Sequence, residues 1–197
     1  DTDTYNTAVG NFAGLTITTG TQNTLVGGLS GDAITTGSGH TALGYRALSA
    51  ATTSSYNVAI GWKAGHNLTT AGAFTAVGTD AGHSTTTGAN NTAIGYGALY
   101  SNTTGTNNTT LGYHSLYYAT TGSNNTAVGH RASHNVTTGA ENTSFGYQAG
   151  FNITTGVHNV CLGSSAGYNL VGHSQSVFIG HQAGYNTAAS NSVGIGH

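Results

Sequence analysis

Eight flat side chains recur at a spacing of 17 residues: His66, His83, Tyr100, Tyr117, His134, Phe151, Tyr168 and Tyr185. A second series, Tyr45, Trp62, Tyr96, Tyr113, His130, Tyr147 and His181, keeps the same spacing, with breaks at Thr79 and Ser164. Rings in such columns can stack on one another, each contact contributing about 0.5–1.5 kcal/mol. They can equally pack between chains or form an aromatic strip for sugar rings. The ten His also raise metal binding. His66 and His83 fall in neighbouring repeats and His130 and His134 in one, yet no His-x-His chelate and no supporting carboxylate or Cys cluster accompanies them. His40 stands in a place otherwise held by Asn, and His130 and His181 stand in Tyr places. Column filling is the simpler reading, and no metal or cofactor is expected.

Catalytic chemistry finds no constellation. Asp1, Asp3, Asp32, Asp80 and Glu141 occupy different columns, so no carboxylate pair is implied. No Gly-x-Ser-x-Gly elbow or phosphate-binding loop is present. Cys161 sits in a column held mainly by Ala (Ala93, Ala127), which makes it a small core residue, and a lone Cys forms no intrachain disulfide. The expectation is a protein that is not an enzyme. Its basic residues are Arg46, Lys63 and Arg131, and its net charge is −2, so nucleic-acid binding and a polybasic membrane anchor are not expected. No stretch approaches the roughly 20 apolar residues of a membrane-spanning helix.

The elements that must position these columns follow from the repeat itself. Gly10, Gly27, Gly44, Gly61, Gly78, Gly95, Gly112, Gly129, Gly146, Gly163 and Gly180 are spaced by 17, and Gly196 follows one residue early. The unit reads N-T-A-[VIL]-G-[YH]-x-A-G-[YH]-N-x-T-T-G-x-x. The residue before each glycine is always apolar, from Val9, Val26 and Leu43 to Ile195, and three after it comes Ala or Ser. Seventeen residues are too few for a helical hairpin, and Gly with Thr-Thr opposes a helix. Two short β segments and two Gly-marked turns fit the unit. At ~3.3 Å per residue a coil has a perimeter of roughly 55 Å, and coils stacked at ~4.8 Å make a rod on the order of 50 Å long. The fold expected for 1–197 is therefore all-β: one parallel β-solenoid domain of about eleven coils, its thin core lined by small and branched side chains. Charged residues are only 4% of the chain, as a ladder of stacked like charges would require.

The remaining columns have structural readings. The Asn series (Asn6, Asn23, Asn57, Asn91, Asn108, Asn125, Asn142, Asn159) suits a side-chain amide ladder at the turn before the strand. Thr-Thr pairs recur in nine consecutive units, from Thr18-Thr19 to Thr154-Thr155. Adjacent strand residues point to opposite faces, so a Thr-Thr pair gives one Thr column per face, which weakens an ice-binding reading. Inward Thr hydroxyls that satisfy one another and the backbone are the plainer account.

The strings Asn91-Thr92-Ala93-Ile94-Gly95, Asn57-Val58-Ala59-Ile60-Gly61 and Asn125-Thr126-Ala127-Val128-Gly129 resemble the core of YadA-like head repeats in trimeric autotransporter adhesins. The longer run from Asn91 to Thr104 is similar to repeats in phage tail fibres and large bacterial surface proteins. The resemblance covers essentially the whole chain. It implies a left-handed β-roll, three chains packed side by side, and a shaft or adhesive head outside the cell. The period departs from the adhesin repeat, whose units are nearer 14 residues; the extra residues lie around Thr-Thr-Gly.

The expected function is a structural or adhesive repeat domain of an extracellular fibre on a cell surface or virion. Its partners are copies of itself, as a trimer or an end-to-end filament, with a host-surface glycan as a possible ligand. The rival is a module whose repeated face recognises a polysaccharide or ice. The array opens in a partial unit (Asp1 to Tyr5) and stops at His197, which suggests either caps outside this chain or ends that stack on other copies.

Overall fold

The computed structural model describes residues 4–196; Asp1, Asp3 and His197 lie outside them. The chain winds into a parallel β-solenoid of about eleven turns. Each coil contributes one three-residue strand, from β1 (Thr7–Val9) through β6 (Thr92–Ile94) and β7 (Thr109–Leu111) to β12 (Val193–Ile195). The twelve strands form one sheet in chain order. Register is strict: Thr92, Ala93 and Ile94 of β6 lie beside Thr109, Thr110 and Leu111 of β7. Each sequence column is therefore a physical column along the rod.

The second β segment expected in each coil is not formed among the described residues. At the Thr-Thr step, the N–H groups of Thr86, Thr87 and Gly88 all donate to the carbonyl of Thr103, at 3.0, 3.3 and 3.3 Å. Three consecutive amides that converge on one oxygen belong to a turning chain, and cannot alternate donors and acceptors as a ladder does. The first Thr of the pair adds its hydroxyl to the same carbonyl column, as in Thr86 Oγ1 to Thr103 O at 3.1 Å and Thr103 Oγ1 to Thr120 O at 3.1 Å. The second Thr faces solvent at Thr87, Thr104, Thr121 and Thr138.

The core also differs from expectation. The middle residue of each strand points inward: Ala42, Ala59, Ala76, Ala93, Ala127 and Cys161 are fully buried. With a side-chain period of two, the residues on either side must point outward. The apolar residue before each glycine therefore lies on the outer face. Leu43 is 47% exposed, Leu111 48% and Phe145 57%. Branched side chains do fill the interior, but from a different column, seven residues after the glycine: Ile34, Leu68, Val136, Ile153 and Leu170.

Packing between two inner columns is complementary. Where the fourth residue after the strand glycine is Gly31, Gly150 or Gly167, a Cβ there would meet Cδ1 of Ile34, Ile153 or Leu170 at 2.7–2.8 Å. Where that residue is Leu48 or Leu116, the partner three residues on is Ala51 or Ala119. One large side chain per coil fills the space, from either position, as dense packing demands.

Tight backbone geometry closes each coil. The strand-ending glycines from Gly10 to Gly180 have φ between 125° and 141°, and a Cβ would fall within 2.7 Å of the next coil's glycine carbonyl group. Two further positions per coil are left-handed even in residues with side chains, as at Arg46 (56°) and Leu48 (53°). Left-handed backbone costs such a residue roughly 1–2 kcal/mol. Here it is held by bonds to both neighbours: Arg46 N donates to Gly28 O at 3.0 Å on one side, and Leu48 N to Ala64 O at 3.1 Å on the other.

Candidate functional site

The buried Asn column supports the strand and its turn. Asn125 Nδ2 donates to the carbonyl of Gly139 at 2.9 Å, and its Oδ1 accepts the N–H of Asn142 at 3.0 Å. The same pattern links Asn108 to Gly122 and Asn125. His40 fills an Asn place and does both jobs, with Nε2 2.9 Å from Ser54 O and Nδ1 3.3 Å from Asn57 N. Nε2 must carry the proton for this, and burial holds the imidazole below its ordinary pKa.

From this scaffold both ring columns project at the coil corner. His66, His83, Tyr100, Tyr117, His134, Phe151, Tyr168 and Tyr185 form an unbroken half-buried ladder, with centroids 4.8–5.5 Å apart and planes within 12°. In the second column Tyr96, Tyr113, His130 and Tyr147 stack at 5.1–5.4 Å. All seven members of that column, including Tyr45, Trp62 and His181, are exposed. Each ring is thus set at the coil spacing by the fold, and ring faces inside a ladder are covered by their neighbours.

The His members are kept neutral. Burial lowers the pKa of His83, with Asp80 opposing and His66 and Lys63 reinforcing. Burial also lowers His134, against its hydrogen bond to Asn135 at 2.8 Å. Imidazolium ions 5 Å apart would repel, so an uncharged ladder is the one that stacks. Burial raises the Tyr117 hydroxyl and pushes the Cys161 thiol up to about 12, so that thiol is no nucleophile at neutral pH.

Two features were not singled out in the sequence. One is the outer apolar column, whose direction depends on which strand residue faces inward. The other is a cavity of about 220 Å3 between the two ladders, lined by Asp80, Tyr96, Gly97, Tyr100, Tyr113, His114 and Tyr117. His114 leans across it, with its ring centroid 4.0 Å from Tyr113 and 4.4 Å from Tyr117. A glycine at 97, in a column of long polar residues, was its visible signal. Among the described residues, no group of three or more His, Cys, Asp or Glu side chains could hold a metal ion, and no helix is long and apolar enough to cross a membrane.

With this geometry in hand, the chain was compared with known proteins. It matches no family model, no curated protein and no solved structure. The residues and their arrangement therefore carry the functional reading.

Proposed function

We propose that the chain is a structural repeat segment of an extracellular fibre, a stiff rod that associates laterally with copies of itself. The observation that carries this reading is the outer apolar column. It runs through all twelve strands, and Val9, Leu43, Leu111, Phe145, Ile179 and Ile195 are exposed in the isolated chain. Contiguous exposed apolar surface of this extent marks an interaction site. Twelve strands at ~4.8 Å by a face about 10 Å wide give roughly 500 Å2 per copy. Adding the neighbouring Tyr column brings that toward the ~800 Å2 per partner of a standard interface. The resemblance to adhesin head repeats supports an extracellular setting, a left-handed coil and three chains as the assembly.

Sedimentation equilibrium over a range of concentrations tests the reading. A trimer or larger species is expected; a 19.7 kDa monomer at every concentration would overturn it.

A second reading has one observation in its favour. The outer face is a row of Thr-x-Val and Thr-x-Leu triplets, as in Thr24–Val26, Thr41–Leu43 and Thr109–Leu111, with Thr and the apolar residue on the same side. Such a regular surface suits a periodic ligand, a polysaccharide or ice, better than the ladders do, because their ring faces cover one another. A monomer that binds ice or a polysaccharide through this face is the outcome that would establish it.

A further inference from the structure

The second residue after each strand glycine is left-handed, and its side chain can lie over the ring that precedes it. Lys63 Nζ sits 4.3 Å from the Trp62 ring centroid, and Arg46 Cζ 5.7 Å from that of Tyr45. These are cation–π pairs in the usual distance range. At coil six the column reads Gly97, so Tyr96 has no such side chain from its own coil. The space is the cavity of about 220 Å3 already described, with Asp80 one coil before and His114 one coil after. Asp80 is largely shielded from solvent, its side chain 17% exposed and 3.9 Å from His83 Nε2. His114 is held neutral, chiefly by burial and then by His134, Arg131 and His130, so it adds no opposing charge at neutral pH.

We propose that the Gly97 notch binds a guanidinium cation, which takes the place the column's own Lys and Arg side chains take over Trp62 and Tyr45. Tyr96, Tyr100, Tyr113 and Tyr117 supply electron-rich walls, and Asp80 supplies the counter-charge. The cavity suits one flat head group and a short stem. The occupant is either a free alkylguanidine or an arginine side chain presented by another protein; the chemistry is shared. The site uses different residues from the outer apolar face, so it does not depend on how the rod assembles.

Titration of the full chain with agmatine, with a Gly-Arg-Gly peptide and with neutral methylurea, followed by tyrosine and histidine ring NMR signals, tests the proposal. The cations should shift Tyr96, Tyr100 and His114 in a saturable way, with methylurea bound at least about tenfold more weakly. Agmatine bound more tightly than the peptide assigns a free small molecule; the reverse order assigns a protein side chain. Asp80→Asn should weaken cation binding at least about fivefold. Gly97→Arg should abolish it by filling the notch from within, at a backbone conformation that Arg46 and Arg131 already adopt. Equal binding of methylurea, no binding up to about 50 mM cation, or unchanged affinity in Asp80→Asn would overturn the assignment.

Discussion

The imidazole of His40 holds the backbone carbonyl of Ser54 at 2.9 Å, 14 residues away, in the place where other coils use an asparagine amide. In Asn23 the equivalent bond runs from Nδ2 to Gly37 O at 3.1 Å. The two side chains solve the same problem with different acid–base properties. An amide does not titrate; an imidazole does.

Acid should therefore weaken the rod at this coil. The folded pKa of His40 lies below its ordinary value, so near pH 6 the unfolded chain binds more protons than the folded one. Stability then rises with pH through the window between the lowered folded value and about 6.5, and falls as pH drops through it. Urea midpoints at pH 7.5 and 5.5 are the check. His40→Asn should lose less stability than the native chain over that interval, by at most about 1.4 kcal/mol. The other lowered histidines, His83, His114 and His134, titrate alike in both chains and cancel in the comparison.

Asn125→Ala should cost about 3 kcal/mol. It removes the acceptor for Asn142 N and the donor to Gly139 O, leaving two buried backbone groups unpaired. An exposed control, Thr121→Ala, should stay within about 0.5 kcal/mol of the native chain in the same urea titration.

The complementary core columns predict strong coupling between Leu116 and Ala119. Leu116→Gly alone should cost about 3–5 kcal/mol through the cavity it opens, and Ala119→Ile alone about 1–3 kcal/mol through overpacking. Together they reproduce the arrangement of Gly31 with Ile34, so the double variant should recover about 1–3 kcal/mol relative to the sum. A double-mutant cycle by denaturant unfolding reads this directly.

On the outer face, Leu43→Lys with Leu111→Lys should separate assembly from folding. Both residues are about half exposed in the single chain, so monomer stability should change by no more than about 0.5 kcal/mol per site. Four coils at ~4.8 Å put the new charges beyond a Debye length of ~8 Å, so they barely repel each other. Self-association should weaken at least about tenfold by sedimentation, with the circular dichroism spectrum unchanged.

Much of this architecture was legible in the repeat. The glycine spacing gives the coil length, and the Asn, ring and Ala columns fall where identical residues must stack. Cys161, placed among alanines, is indeed fully buried. What the period alone leaves open is direction. A three-residue strand such as Thr92–Ile94 carries two apolar residues side by side, Ala93 and Ile94, and only one can face the interior. The narrow bore selects the smaller. Thr-Thr misled for a related reason: β-branched residues suit strands, but here their amides converge on one carbonyl and the chain turns. The Gly97 notch arises from one missing side chain in an otherwise regular column, and a repeat pattern averages such exceptions away.

The strict register of the sheet makes length a free parameter. A residue meets its own column on the coils above and below, so one more unit of 17 residues would meet surfaces it already matches. Each added unit would lengthen the rod by ~4.8 Å without altering its cross-section. An insertion of any other size would shift a column against its neighbour and bring a Cβ onto the glycine carbonyl stack. The molecule is in that sense a ruler, graduated in whole coils and readable from the length of its gene.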